Sequence, residues 1–459
     1  IRAYRVAGGQ FVSRDTDFTR REALSLSGTA ALAGLAGCNG RLSEQLPGGG
    51  PATIDAAALA EATRGDTPTI PETLPVDIEQ SFVAGQRDMA RAKLDATPAP
   101  FDGEAIPNGV IRERLNDSYD HALKSIRDAS EAPTPYERLG HATRARTAAH
   151  EVVAAWDAIE SNLTADDLRA SIPAVRDDVG ALEGRWSPVG DDPVRAAVVH
   201  WEIERGLRGA PRWLSIRDGQ LRAPAGQPLE LADIAVNIER ARANTAVGSY
   251  LFDRFRGSLD KPTDLTDRFV AARTDLRRRI DRRAEPLPTD RTDDPTSLVD
   301  REIGATTGVR ALAELASDAR RRLEDIGTDD DEPRVVSDVL SATTTLTHLR
   351  AFETLRDRIE GGDDIAVRTA EDVGALRSEA IDAIEAARDA DRAQLIIDAL
   401  LPGFAGDIGW IDDQFDRGSG RVRVESIAYD TMQYLTLASL CRVLPGTAAE
   451  VTGVLRSSE

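Results

Sequence analysis

Five histidines, two cysteines and one carboxylate-flanked stretch are the side chains whose chemistry could serve catalysis or metal binding. Their spacing decides what is open to them. His141 and His150 lie nine positions apart on a predicted helix. Nine residues is two and a half turns, so they face apart and cannot share a metal ion. His121, His200 and His348 have no partner at ligand spacing. Glu202 and Glu204, in His200-Trp201-Glu202-Ile203-Glu204, have the chemistry of general acids, but carboxylates are so plentiful that spacing singles out none. No Gly-rich phosphate loop, His-Glu-x-x-His, Glu-x-x-His, Gly-x-Ser-x-Gly or Cys-x-x-Cys occurs. No catalytic residue, cofactor site or metal site is therefore assigned. Trp213 and Trp410 stand out because aromatics are scarce. Each reads as a plug sealing the end of a helical bundle, with a ligand-stacking platform as the alternative. Asn116-Asp117-Ser118 and Asn162-Leu163-Thr164 are glycosylation sequons, usable only if the chain is exported.

The remaining chemistry is an address. Thr19-Arg20-Arg21-Glu22-Ala23-Leu24 precedes an apolar Ala/Gly/Leu stretch that ends in Leu35-Ala36-Gly37-Cys38. The stretch from Ala23 to Gly37 is shorter than the roughly 20 residues a bilayer core requires. It has no charged stop behind it, so it reads as a signal-peptide core. Asn39-Gly40 and Pro47-Gly48-Gly49-Gly50-Pro51 follow, the composition of a tether. This order of paired arginine, apolar run and small-residue site before cysteine resembles the signal of a twin-arginine-exported lipoprotein. The resemblance implies export through Arg20 and Arg21 and lipid attachment at Cys38. Residues before Val12 do not fit such a signal, and a start near Val12 is expected. No other segment approaches transmembrane length, so the expectation is a chain anchored to the outer face of the cell membrane rather than spanning it. One lipid chain alone holds marginally, which calls for a second contact.

Composition sets the solvent. Acidic residues number 78 against 57 basic ones, a formal net charge of -21, and only Lys93, Lys124 and Lys261 are lysines. Acids spread through all segments suit a surface bathed in multimolar salt, where screening falls to a few Å. An acid-rich, Lys-poor, Arg-retaining chain with this leader resembles haloarchaeal surface lipoproteins, a likeness of leader and composition that implies no activity. The charge argues against nucleic acid as a partner. No EF-hand loop is present. With Cys38 lipidated, Cys441 is left alone, so no disulfide framework is available and stability must come from packing.

The elements that position these residues read as helices in two copies. Ala142-Thr143 and Trp156-Asp157-Ala158-Ile159-Glu160 match Ala342-Thr343 and Arg356-Asp357-Arg358-Ile359-Glu360, 200 positions on. Phe82 pairs with Phe269, Asp178–Leu182 with Asp372–Leu376, Trp213 with Trp410 and Ile234 with Ile427, at spacings of 187, 194, 197 and 193. Matches in fixed order with drifting spacing are what loop insertions produce. The expected fold class is all-α: a leader over 1–37, a lipid-anchored flexible tether over 38–76, and two tandem, internally duplicated helical bundles over 77–262 and 264–459, joined at Lys261-Pro262. In the first copy helices are predicted over 77–96, 107–131, 136–161, 164–184, 191–208 and 229–257. Leu231, Ile234, Ile238, Ala241, Thr245, Gly248, Phe252 and Phe255 step along one helical face, and Ile427, Thr431, Tyr434, Ala438 and Cys441 repeat it, placing the free thiol in the core. A small β-hairpin is expected in each copy, at Leu214–Arg222 and near Arg421–Glu425.

Two function classes remain. The first is a cell-surface structural or interaction module facing an envelope protein. The second is a lipoprotein that binds a small solute in a cleft between the copies; the two α/β lobes usual for that task have no counterpart in this strand-poor pattern. An enzyme ranks third.

Overall fold

The computed structural model describes residues 52–161, 163–215, 227–288, 294–327 and 335–457, together with a short antiparallel pairing of Val6–Ala7 with Gln10–Phe11. Cys38, Arg20, Arg21, Asn162 and most of the hairpin expected at Leu214–Arg222 lie outside the described residues.

The architecture is all-α in two tandem domains. The first contains α2 (Gln80–Asp95), α3 (Gly109–Glu131), α4 (Pro135–Glu160), α5 (Ala165–Glu183), α6 (Pro193–Leu214) and α7 (Pro228–Gly257). The second contains α8 (Thr266–Ala284), α9 (Thr307–Gly327), α10 (Val335–Glu360), α11 (Ala370–Arg388), α12 (Gln394–Ala405), α13 (Asp407–Asp416) and α14 (Ala428–Ser457). A shorter helix, α1 (Ala56–Ala62), precedes both. Counterparts agree in length: α4 and α10 have 26 residues each, α5 and α11 have 19, and α7 and α14 have 30. The 22-residue α6 is matched by α12 and α13 together, a helix broken at Gly406 four residues after Pro402, whose ring nitrogen cannot donate to the preceding turn.

The same helices pack in the same way in both domains. α4 is central to the first and touches α2, α3 and α7, while α7 also receives α5 and α6. α10 likewise touches α8, α9 and α14, and α14 receives α11, α12 and α13. Leu139, Ala142, Arg146, Ala149, Val152 and Ala155 form the buried face of α4; 200 positions on, Val339, Ala342, Leu346, Leu349, Phe352 and Leu355 form that of α10. This is one face of a 3.6-residue period read twice. Fully burying a Leu or Phe stabilises by roughly 1.5–3 kcal/mol.

Not all of the expected pairings fall in register. Phe82 and Phe269 both sit in the first turn of their helices. Ala181, however, ends α5 whereas Ala375 opens α11. The true marks of equivalence there are two capping boxes, Thr164 with Asp167 and Thr369 with Asp372, 205 positions apart. Ile234 corresponds by helix position to Tyr434 rather than to Ile427, which lies in the 3-10 turn before α14.

The tether expected over 38–76 is structured from Thr53 on, and so over its last two thirds. Thr53–Asp55 forms β1, Val189–Gly190 β2, Thr263–Asp264 β3 and Arg421–Arg423 β4, and β1 pairs antiparallel with β4. The strand foreseen near Arg421 therefore exists, but its partner is the N-terminal segment and not a neighbouring hairpin arm. Asp55 caps α1 by accepting from the amides of Ala57 and Ala58. α1 then lies on α11 and α13, so closely that a Cβ on Gly374 would stand 3.1 Å from the Ala62 carbonyl oxygen. Among the described residues one apolar stretch, Gln394–Asp416, does reach transmembrane length, against the expectation that no segment beyond the leader approaches it. It is the broken α12–α13 pair, with Ile396, Ile397, Leu401, Ile408 and Ile411 buried in the second domain.

Candidate functional site

Three places gather polar chemistry, the first and third of them in the interior. The first is the seam between the domains, where α6 packs on α10, α12 and α14. Glu204, 3 % exposed, reaches from α6 to the first turn of α10, where the Ser337 amide donates to its Oε2 at 2.5 Å. A carboxylate from one domain thus satisfies an open amide at the start of a helix in the other. Burial nevertheless raises its pKa, and Oε1 is buried without a hydrogen bond. Glu202 points elsewhere and pairs with Arg205 at 2.6 Å. A short antiparallel pairing of β2 with β3 closes the same seam. A Cβ on Gly190 there would stand 2.6 Å from that of Ala196.

The second is a strap, residues 52–79, that follows the leader and is fastened to both domains. On the second domain Arg377 donates from Nη2 to the carbonyls of Gly65 (3.0 Å) and Asp66 (3.3 Å) while pairing with Asp412 at 2.9 Å. On the first domain Glu72 donates its amide to Glu137 (2.9 Å), and Thr134 Oγ1 donates to the Glu72 carbonyl (2.6 Å). Arg254 holds Asp77 at 2.6 Å and Glu79 at 2.7 Å. The Phe82 ring stacks on Tyr250 at 3.7 Å.

The third is a charged core in the first domain. Arg146 donates to Glu239 at 2.6 Å and to Gln86 at 3.0 Å, all three buried. Lys93 Nζ lies 2.9 Å from His150 Nδ1. Burial lowers the Lys93 pKa, and burial with the Lys93 charge brings His150 down to about 4. Burial alone would raise Glu239; Arg146 and Lys93 outweigh it and hold the carboxyl below its usual range. Lys93 and His150 sit 57 positions apart on different helices, so no sequence spacing could join them. The one available signal was the rarity of lysine.

The residues singled out from sequence are dispersed. Trp213 is half-buried in the last turn of α6, its indole over Gly209. Trp410 is 37 % exposed in the middle of α13, about one turn out of register with Trp213, so the two do not occupy matching places. His141 and His150 face α3 and α2 respectively, His141 toward Asp128 and His150 toward Lys93. His121 is exposed, and His200 and His348 are buried. Cys441 is fully buried, and burial pushes its thiol up to about 12. The side chain of Asn116, the asparagine of its sequon, is engaged at both ends with the Phe101 backbone: Oδ1 accepts from the Phe101 amide (2.8 Å) and Nδ2 donates to the Phe101 carbonyl (3.0 Å).

A surface cavity of about 400 Å³ opens in the second domain, lined by Arg279, Arg282 and Arg283 of α8, Glu353 of α10 and Glu450 of α14. It lies inside the second domain and not in a cleft at the Lys261-Pro262 joint. Arg279 pairs with Glu450 and Arg283 with Glu353, both at 2.7 Å.

Fold and sites together define an all-α protein of two fastened helical domains. Residues 81–261 match a family described as Domain of unknown function (DUF8262), and residues 266–453 match a second, described as Domain of unknown function (DUF8264). Each match covers one helical domain. No curated protein matches the chain.

Proposed function

We propose that this chain is an exported, lipid-anchored helical protein on the outer face of the cell membrane, acting as a structural or interaction module for an envelope partner. The observation that carries the reading is the strap. The chain that leaves Cys38 pairs as a strand with the second domain at Thr53–Asp55 and is fixed to the first by Asp77 and Glu79. Residues 39–52 span about 50 Å at most when extended. An anchor at Cys38 would therefore hold both domains close to the membrane and deliver any pull to them together. The acidic, Lys-poor composition supports a high-salt exterior.

Cell fractionation tests the reading. Cys38→Ser should be exported but released from the membrane, and Lys-Lys in place of Arg20-Arg21 should leave a cytoplasmic precursor. An unchanged membrane fraction for Cys38→Ser would sink the anchor. The arginine-lined cavity favours a second reading, capture of a small solute.

A further inference from the structure

We infer that the cavity among α8, α10 and α14 binds a small polyvalent oxyanion, one bearing two or more carboxylate or phosphate charges. The inference rests on the second, solute-binding reading and is independent of the anchor at Cys38.

Charge is the first argument. In a chain with a net charge of -21, α8 carries seven arginines against three aspartates. Four of the seven are engaged away from the cavity. Arg268 donates to the carbonyls of Leu455 and Arg456 at the end of α14. Arg273 pairs with Asp338, Arg277 with Asp281 and Arg278 with Asp275. The other three, Arg279, Arg282 and Arg283, line the cavity. Arg350 of α10 stands behind them, pairing with Glu450 and donating to Thr447 Oγ1 at 3.2 Å. Arg279 also holds Asp275 at 2.8 Å, so four guanidinium groups stand against three carboxylates, still an excess of positive charge in a hollow large enough for a small molecule.

Geometry is the second. Glu450 is held between Arg279 and Arg350, and Glu353 holds Arg283. These pairs fix the guanidinium planes while leaving part of each five-donor fork unused. Arg282 has no carboxylate partner among the described residues and is exposed. A bulk monovalent anion such as chloride offers a guanidinium no bidentate match, whereas carboxylate and phosphate do. The site therefore selects oxyanions even in concentrated salt.

Comparison of the two domains is the third. Ion pairs that stitch three helices, and cations in the last turn of a helix, have an ordinary structural use. The first domain stitches the same three helices with a different set, Arg146 and Lys93 on the buried Glu239, and has no arginine at the cavity positions. At the Phe82/Phe269 spacing, Arg279, Arg282 and Arg283 correspond to Ala92, Asp95 and Ala96. At 200 positions, Arg350, Glu353 and Glu450 correspond to His150, Val153 and Tyr250. The open, arginine-rich form of the cluster is therefore particular to the second domain.

Calorimetric titration of the purified full chain, in the potassium chloride that keeps it folded, tests this with citrate in one arm and inorganic phosphate in the other. Saturable 1:1 binding in either arm is expected, with the arm that binds naming the charge group. Arg282→Gln, which breaks no ion pair among the described residues, should weaken that binding at least tenfold with an unchanged melting temperature. Arg277→Gln, on the same helix outside the cavity, should leave the affinity unchanged. Absence of saturable heat in both arms, undiminished affinity in Arg282→Gln, or an equal loss in Arg277→Gln would each overturn the proposal.

Discussion

His200 illustrates how tightly single residues are committed to the fold. Its Nε2 lies 2.8 Å from the Val189 carbonyl, and its Nδ1 accepts from the Trp186 indole at 3.1 Å. Those partners assign the neutral tautomer with the proton on Nε2. A second proton would have to sit on Nδ1, against a donor. Burial holds His200 and His150 down to about 4, and His348, bonded to the Thr344 carbonyl, down to about 3. An unfolded histidine titrates near 6.5. As pH falls below that value the unfolded chain takes protons that the folded chain refuses, so these groups contribute stability above about pH 6.5 that is lost toward pH 4. Asp407, raised by burial to about 6, has the opposite sign: the folded chain binds its proton first and gains stability on acidification. A variant isolates the histidine. Relative to His200→Gln, the wild-type protein should lose roughly 2 kcal/mol of its advantage between pH 7.5 and pH 4.5. Urea unfolding of both proteins at the two pH values measures it, and a gap independent of pH would show that His200 is not held neutral.

Helices were the most legible elements. The predicted 107–131, 136–161, 164–184 and 229–257 fall within two residues of α3, α4, α5 and α7, because each has an apolar face in helical period and a polar or Pro start. The duplication was legible for a related reason: the central helices repeat their buried face at a constant 200 positions. Elsewhere the residue-by-residue alignment slipped. Asp178–Leu182 and Asp372–Leu376 share letters because Ala, Asp, Gly and Leu recur on any such helix, while the equivalent positions are the caps at Thr164 and Thr369. The strap was illegible because β1 owes its structure to Arg421–Arg423, hundreds of positions away, and its own Gly/Pro/Ala-rich approach looks like tether. The charged core and the arginine cavity were hidden likewise, assembled from helices distant in sequence. Equivalence of α5 and α11 makes its own prediction. Each threonine accepts from the amide of the aspartate three residues on, at 3.2 Å in both helices. Thr164→Ala and Thr369→Ala should each cost about 1 kcal/mol. A chemical denaturation series that finds a loss in only one of them would contradict the matched caps.

At the scale of the whole molecule, two acid-rich domains are pressed together along a seam that contains a buried carboxylate, Glu204, and are bound by a strap with its own acids, Asp77 and Glu79. Many of the ion pairs join neighbouring turns of one helix at the surface, such as Arg277–Asp281 and Arg368–Asp364. Pairs of this kind contribute little each. They also leave the acid surplus of 78 over 57 uncompensated. That surplus repels across a Debye length, which is about 30 Å at 0.01 M salt, comparable to a domain, and about 3 Å at 1 M. Dilution therefore brings carboxylates on one domain within reach of those on the other. Concentrated salt removes the repulsion without weakening the apolar core, which is buried in both domains. The melting temperature followed by circular dichroism should accordingly rise steadily from about 0.1 M to about 3 M potassium chloride. A melting temperature that does not move with salt would mean the acidic surface has no part in stability, and the reading of this chain as one built for a saline exterior would fail with it.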